Sequence, residues 1–175
     1  MEEQLQLITR LGCATLFGAV LGLNRGLRQK PAGMRTHALV ALGSAFAAWM
    51  AIRLSGGDHV AVSRVMQGAI TGIGFIGAGV IMHDEQKGQV AGLTTAASVW
   101  VATILGLGCG AGLILDTAIA LLIALLLLLI SGNMQERMAE ALNARRRRRR
   151  DQRLHGRQEP RERGAPRQPP PGPPA

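Results

Sequence analysis

Residues 64–83 read RVMQGAITGIGFIGAGVIMH: an uncharged, strongly apolar run opens after Arg64 and carries glycine at Gly68, Gly72, Gly74, Gly77 and Gly79. In water each interior glycine costs a helix about 1 kcal/mol relative to alanine. A bilayer changes that balance. A spanning segment must satisfy its own backbone, and glycine lets neighbouring helices approach closely enough for van der Waals packing to hold them. The stretch therefore reads as a buried transmembrane helix.

Projected at about 100° per residue, Gly68, Gly72 and Gly79 share one narrow stripe while Gly74 and Gly77 fall elsewhere. Small residues on more than one face imply protein on two sides, which predicts that this helix is the centre of a bundle. Packing is the simpler role for these glycines. The alternative is a broken helix lining a path, as in transporters.

The 175 residues are 47% hydrophobic, carry a formal charge of +9 and include no tyrosine. The charge is unevenly placed. Residues 1–130 hold eight Lys+Arg against six Asp+Glu, and residues 131–175 hold twelve against five. The chain thus divides into a membrane part, residues 1–131, and an Arg/Pro-rich tail, residues 132–175. Arginine outnumbers lysine eighteen to two, a bias typical of GC-rich bacterial coding. The acidic start Met1-Glu2-Glu3 lacks the basic region of a signal peptide, so the first apolar segment is expected to remain. Cys13 and Cys109 show neither CxxC pairing nor metal-ligand spacing and read as packing residues.

Five apolar segments are near the roughly 20 residues needed to cross a bilayer: residues 5–23, 36–54, 65–82, 93–109 and 112–131. Arg25, Arg28, Lys30 and Arg35 crowd the first connection and the arginine-rich tail follows the fifth segment. Both belong on the cytoplasmic side, so the amino terminus is expected outside and the carboxyl terminus inside. The turn at residues 109–111 is the weakest boundary, because fusion of its two segments would send the tail outward. Arg10, inside the first segment, reads as snorkelling to the outer interface or as a partner for Asp116. Asp116 also suits the first turn of a helix.

The tail contains six consecutive arginines at residues 145–150 and is proline-rich beyond residue 160, a composition that predicts disorder. Its expected role is anchoring to anionic lipid headgroups, at roughly 1 kcal/mol per basic residue. Nucleic acid is not expected as a partner, since no folded module or interleaved aromatics accompany the charge.

Three stretches carry a family resemblance. Lys30-Pro31-Ala32-Gly33-Met34-Arg35-Thr36-His37, then residues 72–81, then Gly92-Leu93-Thr94-Thr95-Ala96-Ala97 with Trp100 resemble the MgtC/SapB family over roughly residues 7–130. The resemblance implies a bacterial inner-membrane protein linked to growth under magnesium limitation and, in several pathogens, to survival inside macrophages. It also shows departures. Many members carry acids around the arginine ending the first span, where this chain has Asn24-Arg25-Gly26. Longer members continue into a folded cytoplasmic domain, in place of which this chain has its basic tail.

The chemistry of magnesium gives a test of the family name. Magnesium prefers octahedral oxygen ligation and sheds water reluctantly, so a conduit calls for placed carboxylates. Within the expected spans only Asp116 qualifies, and no metal site is assigned. No phosphate-binding loop or nucleophilic triad is present, so no catalytic residue or cofactor is expected. The cytoplasmic face is more suggestive. The second and fourth helices are expected to begin there, near Pro31–Thr36 and Gly92–Thr95, where free N–H groups and Arg25, Arg28, Lys30 and Arg35 should gather anions.

The sequence thus predicts an all-α, polytopic bundle of five transmembrane helices with a disordered basic tail. The favoured function is a non-enzymatic modulator of other membrane transport or ATPase machinery under magnesium limitation. A magnesium or other ion transporter is the alternative. Candidate functional or interaction residues are Asn24, Arg25, Lys30, Pro31, Gly33, Arg35, Thr36, Gly72, Gly74, Gly77, Gly79, Thr94, Thr95 and Asp116. Expected partners are the bilayer, anionic headgroups and another membrane protein, with homo-oligomerisation left open.

Overall fold

The computed structural model describes residues 1–56, 58–84, 89–130 and 172, with side chains described outside residues 82–90. Cα packing separates a unit Met1–Leu129 from residues 130–175; the first unit is described below. The disorder expected for the tail lies outside the described residues.

Four long helices are apolar enough to cross a membrane: α1 (Glu2–Leu27), α2 (Met34–Leu54), α3 (His59–Val80) and α4 (Leu93–Gly110). A further apolar helix, α5 (Ile114–Ile130), follows. Each contains one of the expected segments almost entire, because the hydropathy that stabilises burial in lipid also sets helix length. α3 starts earlier than expected, at His59, because the Asp58 carboxylate accepts from the Val60 N–H at 2.8 Å and caps it. The connection after α3 adds strands to the expected all-α fold. Met82–Asp84 (β1) pairs antiparallel with Gln89–Ala91 (β2).

The α4–α5 boundary is a genuine turn. Gly112 adopts φ +90, the Leu113 N–H donates to the Gly108 carbonyl at 2.9 Å, and Thr117 of α5 sits against Gly108 of α4. Leu121 then joins Leu21, Ala102 and Leu105 in a buried cluster spanning α1, α4 and α5. Hence α4 and α5 are separate antiparallel helices, not one fused segment.

The central helix is α4, and the sequence expectation for α3 is corrected. α4 buries Thr95, Ser98, Val99, Ala102, Thr103, Leu105, Gly106, Leu107, Cys109 and Gly110, whereas α3 buries Ile73 alone. A Cβ at Gly68, Gly72, Gly74 or Gly79 would meet nothing within 4 Å, and at Gly77 only Ala96, at 3.8 Å. The packing glycines lie elsewhere. On α1 a Cβ at Gly18 would fall 2.8 Å from the Ala41 Cβ, and one at Gly22 would fall 2.7 Å from the Gly33 carbonyl oxygen. On α4, Gly106 lies against the Ala41 backbone and Gly110 against that of Ala45. Two pairs with GxxxG spacing thus clamp α2, whose facing Ala41 and Ala45 are fully buried.

Candidate functional site

Three helix ends meet where α1 finishes and where α2 and α4 begin. Close approach at Gly22 brings α2 onto α1, so Arg25, one turn further on, is directed into the junction instead of towards the surface. It is 5% exposed. Its guanidinium Nη2 donates to the Thr95 hydroxyl at 2.6 Å. The Ser98 hydroxyl, one turn along α4, donates to the Thr95 carbonyl at 2.8 Å. His37 of α2 is fully buried, with Nε2 3.0 Å from the Ser98 hydroxyl and Nδ1 2.9 Å from the Gly33 carbonyl. Arginine, threonine, serine and histidine from three helices therefore form one hydrogen-bonded chain inside an apolar bundle.

The electrostatics of this chain are one-sided. Of the acids whose side chains are described, Glu2 and Glu3 start α1, Asp58 caps α3 and Asp116 opens α5. All four lie at the opposite end of the bundle; Asp84, on β1, is at the same end as Arg25. Burying a guanidinium without a counter-charge costs on the order of several kcal/mol. Hydrogen bonding to Thr95 offsets only part of that. The Arg25 Nε–H and the Asn24 side-chain oxygen are both buried without a hydrogen-bond partner among the described residues. Both helix starts add positive potential. Gly33 and Gly92, the N-caps of α2 and α4, provide no side-chain cap. Gly92 has φ +91, and an added Cβ would collide with the Val80 backbone at the end of α3.

The candidate residues named from sequence separate into two groups. Arg25, Gly33 and Thr95 belong to the junction, with Asn24 beside it. Lys30, Pro31, Arg35 and Thr94 are exposed, and Thr36 is half-buried. Gly72, Gly74 and Gly79 have no described neighbour within 4 Å of an added Cβ, while Gly77 lies beside Ala96. Asp116 is exposed in the first turn of α5. Arg10 donates to the Gly110 carbonyl at 3.0 Å and closes the end of α4. That bond takes the place of the Asp116 pairing considered for it.

His37 and Ser98 were not singled out from sequence. The available signal was polarity: each is a hydrogen-bonding side chain early in an apolar segment, and Ser98 follows Thr95 by three residues, on the same face.

The MgtC family model matches residues 11–137, a span that includes the whole junction. The chain belongs to the MgtC family. With four helices of membrane-spanning length, this member is a multi-pass membrane protein. SrpB of Synechococcus elongatus is 44% identical over 120 residues, 62% of this chain and 66% of that protein. YhiD of Escherichia coli K12, named provisionally as a magnesium transporter, is 39% identical over 116 residues, covering 62% of this chain and 52% of YhiD. MgtC of Brucella abortus is 40% identical over 110 residues, 63% of this chain and 44% of that protein. The matches therefore span 44–66% of these relatives' lengths. No solved structure matches the chain.

Proposed function

We propose that this MgtC-family protein is a non-enzymatic modulator of other transport or ATPase machinery in the bacterial inner membrane, acting during magnesium limitation. It crosses the bilayer five times with its amino terminus outside, and its basic tail meets anionic lipid in the cytoplasm. One observation carries the choice of modulator over conduit. The buried polar chain that links α1, α2 and α4 is built on a cation, Arg25, and among the described residues contains no carboxylate. A divalent cation entering there would meet a fixed positive charge in a low-dielectric setting, the reverse of what a magnesium path needs.

The provisional magnesium-transporter name of YhiD favours the second reading, an ion transporter. Purified full-length protein in liposomes loaded with a magnesium-sensitive dye separates the two. Flux indistinguishable from protein-free vesicles is expected. Robust, protein-dependent magnesium entry would overturn the modulator reading.

A further inference from the structure

We infer that the junction at Arg25 is a binding site for a phosphate oxyanion, held between the amino termini of α2 and α4. Three independent features converge on one charge type. Arg25 is 5% exposed, and its guanidinium reaches the first turn of α4 through Thr95 at 2.6 Å. The same guanidinium keeps a buried Nε–H with no acceptor among the described residues. Both neighbouring helix starts have glycine N-caps and so no side-chain oxygen to accept from their first-turn N–H groups. Such N–H groups and a forked guanidinium together offer several convergent donors, the pattern that suits a multi-oxygen anion better than a halide.

Asn24 adds a polar group next to Arg25 whose buried oxygen has no partner among the described residues. Rotation of its amide presents NH₂ instead and turns it into a further donor. His37 and Ser98 support the site from behind. The bond at 3.0 Å between them fixes α2 against α4 and so sets the spacing of the two helix starts. The oxyanion can be a phospholipid headgroup at the membrane interface or free inorganic phosphate. The site does not depend on how the protein acts on its partners.

The test uses the full chain in detergent and in nanodiscs. Thermal unfolding is followed with inorganic phosphate or chloride in phosphatidylcholine nanodiscs, and in nanodiscs containing phosphatidylglycerol. Saturable stabilisation by inorganic phosphate identifies the free ion; stabilisation by phosphatidylglycerol alone identifies the headgroup. Arg25→Gln, if folded by circular dichroism and gel filtration, is expected to weaken the effect about tenfold or more. Arg64→Gln, exposed near the start of α3 at the opposite end of the bundle, should leave it unchanged.

Hydrogen exchange on the unmodified chain gives a second readout that survives a folding failure of the variant. Ligand should protect the backbone of residues 34–36 and 93–95 together. Absence of both stabilisation and protection in the wild-type chain would overturn the site and direct the search for a counter-charge to Asp84. An unchanged response in folded Arg25→Gln would overturn it equally.

Discussion

Two glycine-rich regions of this protein look alike in composition and behave differently. α3 carries five glycines from Gly68 to Gly79, yet four of them have no neighbour within 4 Å of an added Cβ among the described residues. Gly18, Gly22, Gly106 and Gly110 are more widely scattered in the sequence, and each lies where an added Cβ would strike a neighbouring helix. What separates them is the partner surface. Gly18 and Gly106 oppose Ala41 of α2, Gly110 opposes Ala45, and Gly22 meets the backbone at the start of α2, so small meets small and the backbones close together. α3 touches this core through Ile73, which clusters with Ala32 and Val99. Glycine permits close approach; only a complementary opposing face uses it.

The sharpest way to break this comparison is Gly106→Ala. A single methyl would strike the Ala41 backbone, which has no rotamer with which to yield, so destabilisation at or above about 3 kcal/mol is expected. Retention of wild-type accumulation and melting temperature in detergent would remove the clamp from the account. Thr95→Val comes next, because it takes the acceptor from a buried guanidinium; about 1.5–3 kcal/mol should be lost in denaturant unfolding. The exposed neighbour Thr94→Val should remain within about 0.5 kcal/mol in the same assay. Ser98→Ala removes one contact to His37 and one to the Thr95 carbonyl, with an expected loss of about 1–2 kcal/mol by chemical denaturation.

At the small end, Gly72→Ala should change the melting temperature little, since nothing lies within 4 Å of the added methyl. A large loss there, in bilayer or detergent, would mean that the α3 stripe packs against something outside the described residues. Arg53→Gln is comparable. Arg53 makes a bidentate pair with Glu3 at 2.8 and 2.9 Å, but both side chains are largely exposed, where solvent screening leaves such a pair little to contribute. Differential scanning of both variants against wild type checks the two together.

Hydropathy made the helices legible, because twenty apolar residues have few alternatives in a chain this size. Arg25 was legible as a charge near a helix end, and Thr95 as part of a motif. Their contact was not, since residues seventy apart meet only through the crossing of α1 and α4. His37 and Ser98 were hidden for the same reason: polarity in an apolar segment shows that a partner is needed without saying which. The α3 assignment failed because glycine spacing describes one surface and packing requires two. Gly18 and Gly22 were readable as a GxxxG pair but less conspicuous than the run from Gly72 to Gly79. The short β1–β2 pairing has three residues per strand, too few for a period-two pattern to emerge.

Function is expected to depend on the buried cation at the three-helix junction and not on the exposed basic residues beside it. Arg25→Gln and Arg35→Gln, expressed at matched levels in a bacterium lacking its own MgtC-family protein, test it through growth in low magnesium. The account predicts that Arg35→Gln, exposed at the start of α2, restores growth, whereas Arg25→Gln inserts into the membrane and fails. Full growth with Arg25→Gln, together with failure of Arg35→Gln, would contradict it.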